Sequence, residues 1–237
     1  AHRIALSSSL KINEKIIFFL LLSLTLLIFT SYIAPVFFLR SFLLLLFMFL
    51  LLNFIILENK KFVNLIFIGL LSSLGMLWYI DIGIYINFIL FLLFIFFLIK
   101  KEILFFFVLV ASTIFGWIII YFNFPKDEFI QFIDNTKLII LTIDYIHGLI
   151  FPTPFLSQDT RSTKAVILFL ITGFLIIKSI SATRQKDLKF LLIMTIFFTV
   201  SILYFKYGLS RSDGGHIKIA SGFIYIPLFS LLYYKFI

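Results

Sequence analysis

Ile82-Gly83-Ile84-Tyr85-Ile86-Asn87-Phe88-Ile89-Leu90-Phe91-Leu92-Leu93-Phe94-Ile95-Phe96-Phe97-Leu98-Ile99 contains no charged residue. At about 1.5 Å per residue, a helix of this length nearly covers the ~30 Å hydrocarbon core of a bilayer. The run is apolar on all sides, whereas a spanning strand would alternate. In hydrocarbon its backbone groups have to be paired within the segment, which selects the helix.

Working outward, the same pattern recurs at 16–34, 41–57, 62–80, 103–122, 165–180, 190–205 and 217–234. The sequence therefore predicts an all-α, polytopic transmembrane bundle of about eight spanning helices. It reads as a single integral membrane domain over residues 1–237. Composition agrees: 62% of residues are hydrophobic, Phe alone contributes 35, and 13% are charged, against roughly a quarter in soluble domains. No cysteine is present, which removes disulfides, thiolate metal sites and Cys nucleophiles. The net charge of +9 is spread over short loops. That pattern fits lipid headgroups and the positive-inside bias, and it argues against a nucleic-acid partner. The chain begins at Ala1 and ends at Ile237 within an apolar run. Both features imply a piece of a longer protein.

Lys60, Lys61, Lys100, Lys101, Arg184, Lys186 and Lys189 fall in short connections on one side. They predict a cytoplasmic amino terminus in a bacterial inner membrane. Asp81, Asp127, Glu128, Asp134, Asp144, Asp159 and Asp213 fall on the other side. Asp81 lies in the turn read at 78–85, among Trp78, Tyr79 and Tyr85. A carboxylate so close to hydrocarbon is either a solvated turn residue or a cavity carboxylate. Gly69 and Ser73, and Ser112 and Gly116, are small residues four apart, a spacing that permits close helix contact.

Residues 123–164 break the pattern and read as one long outside loop. Pro125 ends a helix, and short apolar runs flank the polar stretch 134–137. Such runs predict interfacial or re-entrant helices lying over a cavity with Asp81 beneath. Pro152 and Pro154 then fix a non-helical turn.

The densest polar cluster is Lys206-Tyr207-Gly208-Leu209-Ser210-Arg211-Ser212-Asp213-Gly214-Gly215-His216, between the last two apolar runs. Asp213 can cap the following helix. Arg211 and Lys218 beside a helix N-terminus make a phosphate-binding site, Arg through paired hydrogen bonds. Asp144 with His147, and Asp213 with His216, repeat an Asp-x-x-His spacing. Together they can serve as acid/base groups or hold a divalent metal. No P-loop, H-E-x-x-H or G-x-S-x-G pattern occurs, which removes common ATPase, metalloprotease and hydrolase readings.

Short inside turns, one long outside loop and the stretch Ser210-Arg211-Ser212-Asp213-Gly214-Gly215-His216 resemble multi-spanning glycosyltransferases of the GT-C type. The resemblance implies an enzyme that uses polyprenyl-phosphate-linked sugars in envelope glycan or polysaccharide assembly, with a glycan acceptor. It assigns catalysis to Asp213, His216, Asp144 and His147. Those enzymes usually carry an acidic motif in the first outside loop, and 34–40 contains no acid. This departure puts the catalytic half upstream or counts against the resemblance. A polysaccharide polymerase or ligase, and a non-enzymatic transporter or flippase, are the alternatives.

Overall fold

A computed structural model describes residues 4–5, 8, 10–28, 36–57, 61–147, 153–158, 160–182, 188–210, 217 and 220–237. At 28, 36–40, 143–147, 182, 188, 207, 209 and 210 it describes the backbone alone. The described chain is all-helical, without strands. In order come α1 (Ile12–Ile28), α2 (Val36–Ile56), α3 (Lys61–Trp78), α4 (Ile80–Lys100), α5 (Ile103–Asn123) and α6 (Lys126–His147). They are followed by α7 (Thr160–Ala182), α8 (Leu188–Ser210), a 3₁₀ turn (Ser221–Ile224) and α9 (Tyr225–Phe236).

Five helices among the described residues are long and apolar enough to cross a membrane: α3, α4, α5, and the parts of α7 and α8 over Thr160–Ser181 and Lys189–Lys206. The expected eighth segment is not one regular helix. It passes through the 3₁₀ turn before α9, whose 12 residues span about 18 Å, short of the ~30 Å hydrocarbon core.

Two compact units divide the chain, one over Pro35–Ile143 and the other over Ala1–Ala34 with Asp144–Ile237. In the first, α3 is central and packs against α2, α4 and α5. Its buried positions include Asn64, Ile68, Gly69, Ser72, Ser73 and Gly75, a helical stripe of mostly small or polar residues. The small-residue spacing works as expected. A Cβ built on Gly69 would lie 2.8 Å from Ser112 Cβ and 3.0 Å from Thr113 N. One built on Gly116 would lie 2.7 Å from Ser73 Oγ. α3 and α5 run parallel here, each glycine facing the other helix's serine, so the backbones approach closely.

The turn expected at 78–85 shrinks to Tyr79, and Asp81 sits in the first turn of α4. Glycine explains the difference. A Cβ on Gly83 would be 2.5 Å from Met76 N and Cα, and one on Gly75 would be 3.2 Å from Gly83 Cα. Helices whose backbones touch need almost no connector. The half-buried Asp81 also meets the positive end of the α4 dipole.

The expected short interfacial helices over 126–147 are corrected to one continuous helix, α6. Pro125 closes α5 and its carbonyl accepts the Phe129 N–H at 3.0 Å, opening α6. Asp127 and Glu128 then lie in the first turn, where acids are favoured. The polar stretch 134–137 holds no glycine or proline. It continues the helix, with Lys137 Nζ donating to Asp134 Oδ1 at 3.3 Å on the exposed side.

In the second unit α8 packs against α7, the 3₁₀ turn and α9, and α9 packs against α1. Phe190 joins three helices: its ring lies 6.2 Å from Phe18 and 4.7 Å from Tyr234. Thr25 Oγ1 and Tyr233 OH share a hydrogen bond across α1 and α9.

Candidate functional site

Ser210 ends α8, and residues 211–216 follow. Arg211, Asp213, His216 and Lys218, with the phosphate grip and the proposed cap, lie outside the described residues. Phe205 on α8 and Ile217 belong to one core cluster with Ala165 and Phe169 of α7 and Ile224 of the 3₁₀ turn. Ile217 is 0% exposed, and the Phe169 and Phe205 rings are 5.1 Å apart. Phe205, five residues before the end of α8, and Ile217 therefore pack on the same part of α7.

The first turn of α7 carries Arg161, the buried Ser162 and Lys164. Sequence reading assigned these residues only to a polar loop. The signal that would have placed them is Ser162, a small residue three before Ala165 and seven before Phe169, on the same buried helical face. A second feature converges there. Thr163 Oγ1 accepts the Phe155 N–H at 2.8 Å, while Thr153 O accepts from Ser157 N at 3.0 Å. This turn follows the expected prolyl break and holds Phe155 in a left-handed conformation, φ 68°. It presents Phe155 and Leu156 at 64% and 85% exposure. Two exposed apolar side chains beside a basic helix start suit a membrane–water boundary.

Asp144 and His147 fall in the last turn of α6, so the helical backbone their i, i+3 spacing requires is present. Their side chains are outside the description. Among the described residues no group of three or more His, Asp or Glu is placed to hold a metal. The side chains of all four proposed ligands, Asp144, His147, Asp213 and His216, lie outside the described residues.

The structure also assembles a polar network that sequence reading missed. Trp117 Nε1 donates to Ser72 Oγ at 3.2 Å, and Ser72 Oγ donates to Asn87 Oδ1 at 2.5 Å. Asn87 Nδ2 donates to Gly83 O at 2.8 Å and Ser72 O at 3.2 Å. The network ties α3, α4 and α5 together where the surroundings are apolar. Its sequence signal is the neutral polar residues Ser72, Asn87 and Trp117 inside apolar runs. Trp117→Phe removes one donor and is expected to lower stability by about 0.6 kcal/mol, the usual scale for such bonds in membranes. Asn87→Leu strips every partner from Ser72 Oγ except Trp117 and is expected to cost more, about 1–3 kcal/mol. Unfolding in detergent measures both, and equal losses would show that the network is not centred on Asn87.

No protein-family model, curated protein or solved structure matches this chain.

Proposed function

We propose that the chain is a polytopic inner-membrane protein with eight crossings and a cytoplasmic amino terminus. Its activity is that of a glycosyltransferase-like enzyme acting on polyprenyl-phosphate-linked sugars in envelope glycan or polysaccharide assembly. The observation that supports this reading is a convergence at one end of the second unit. Phe205 and Ile217, which lie on either side of the Arg211–His216 stretch in sequence, pack on α7, whose basic start holds the exposed Phe155–Leu156 turn. A lipid-linked phosphate needs that combination, with cations for the headgroup and apolar contacts for the chain. Arg211 and Lys218 are assigned to the phosphate, and Asp213, His216, Asp144 and His147 to acid/base or metal chemistry. α6 is read as an interfacial helix, with Ile130 and Leu141 exposed beside its charges.

The test is direct: the purified chain is given a polyprenyl-phosphate sugar, and donor binding and transfer to a glycan acceptor are measured. Binding with transfer is expected. Transmembrane movement of the donor without transfer would favour the flippase reading, for which the Asn87 network inside candidate spans is the supporting observation. Failure to bind the donor would sink both.

Orientation has its own test. Single cysteines at Lys100 and Lys186 are expected to resist an impermeant thiol reagent in intact cells, and those at Ser157 and Ser210 to react. Labelling at Lys100 from outside would reverse the topology.

A further inference from the structure

The junction between α4 and α5 is closed by a Schellman motif. Lys101 N–H donates to Leu98 O at 3.1 Å and Glu102 N–H donates to Phe97 O at 2.9 Å. The residue at the turning point has to be left-handed, and Lys101 is, with φ 57° and ψ 27°. Glycine is the ordinary occupant, because a Cβ is crowded in this conformation. A lysine here keeps a long charged side chain at the expense of an easier backbone. An outlier of this kind points to a use for the side chain.

Its surroundings indicate which use. Lys61 Nζ sits 5.8 Å from the centroid of the Phe105 ring. Phe105 packs 6.0 Å from Phe97, the residue that opens the Schellman turn. Lys61, Lys100 and Lys101 therefore share one end of the first unit, and Glu102 is the described acid among them. Immediately beside them, Leu98, Ile99 and Leu104 are 51%, 73% and 63% exposed. Ammonium groups standing on an exposed apolar collar match the boundary between acyl chains and anionic headgroups. The lysine stems lie along the apolar surface and the charges reach outward.

We propose that this end is a docking surface for anionic phospholipid, with Lys101 reaching the headgroup phosphate and Lys61 and Lys100 beside it. The inference goes beyond the glycosyltransferase reading and depends only on the chain spanning a bilayer.

The test uses the whole chain in neutral detergent, titrated with phosphatidylglycerol or phosphatidylcholine of equal chain length, with bound lipid counted by native mass spectrometry. Wild type is expected to retain the anionic lipid preferentially. Lys101→Gly is expected to lower that preference about fivefold, the scale of one surface lysine. At the same time it should raise the thermal midpoint in lipid-free detergent, because glycine relieves the left-handed backbone. Lys101→Asn, neutral but tolerant of this conformation, should repeat the loss of preference. Lys61→Gln with Lys100→Gln should lower preference without the gain in stability. Excess soluble glycerol phosphate should leave the lipid bound, and displacement by it would overturn the lipid assignment. Equal retention of both lipids by wild type, or unchanged preference in both Lys101 variants, would overturn the proposal. A chain that washes off membranes in alkaline carbonate would instead overturn the spanning reading.

Discussion

Gly83→Ala is expected to destabilise the first unit by up to about 2 kcal/mol, although alanine is the better helix former. The two effects oppose each other. Replacing glycine inside a helix gains about 0.8–1.0 kcal/mol, while overpacking costs about 1–3 kcal/mol. At Gly83 the added methyl meets Met76 N and Cα at 2.5 Å, and backbone cannot swing aside as a side chain can. The α3–α4 hairpin has to open, which pulls Asn87 from Ser72. At Gly116 the methyl meets Ser73 Oγ at 2.7 Å, a small rotor that can turn, so the loss should be smaller. At Gly173 it meets the edge of the Phe198 ring at 3.3 Å. There the helix gain should prevail, leaving Gly173→Ala neutral or slightly more stable. Unfolding of the three variants in detergent gives the order, and a Gly83→Ala variant as stable as Gly173→Ala would show that the hairpin is not in backbone contact.

That contact was half legible in the sequence. Helices were readable because an uncharged apolar run in lipid admits few other solutions. The Gly69/Ser73 and Ser112/Gly116 spacing also forecast a close helix pair, and α3 and α5 form it. What spacing does not carry is which helices become partners, because that depends on the whole unit closing around α3. The tight turn at Tyr79 was hidden for a related reason: Gly75 and Gly83 matter only once the hairpin sets them face to face. The polarity at 134–137 suggests a break that α6 does not have. Helices stop at proline, at glycine or where capping is better than continuing, and none of these occurs there. The 3₁₀ turn before α9 gave no hydropathy signal, since Ser221–Ile224 is as compatible with one helix as with the other. For the candidate site, the anchor of Phe205 and Ile217 on Ala165 and Phe169 could not be read from sequence, because its members come from separate segments.

The Arg211–His216 stretch carries the largest functional prediction. Arg211→Ala is expected to weaken binding of a polyprenyl-phosphate sugar by about 1.5–3 kcal/mol, the usual cost of one charge-assisted hydrogen bond. Guanidinium stays charged at any relevant pH and matches a phosphate with two parallel donors. A membrane edge has a lower dielectric than bulk water, which strengthens that attraction. Arg211→Lys keeps the charge but loses the paired geometry, so it should fall between wild type and Arg211→Ala. Asp213→Asn separates structure from chemistry. Asparagine caps a helix about as well as aspartate, so a capping role predicts retained folding and activity. An acid/base or metal role predicts retained folding with transfer abolished, because the amide neither ionises nor binds a cation as a carboxylate does. Donor binding and transfer by folded variants decide the matter. Undiminished binding in Arg211→Ala together with undiminished transfer in Asp213→Asn would take this stretch out of the active site, leaving its ends as a structural junction between α8 and the 3₁₀ turn.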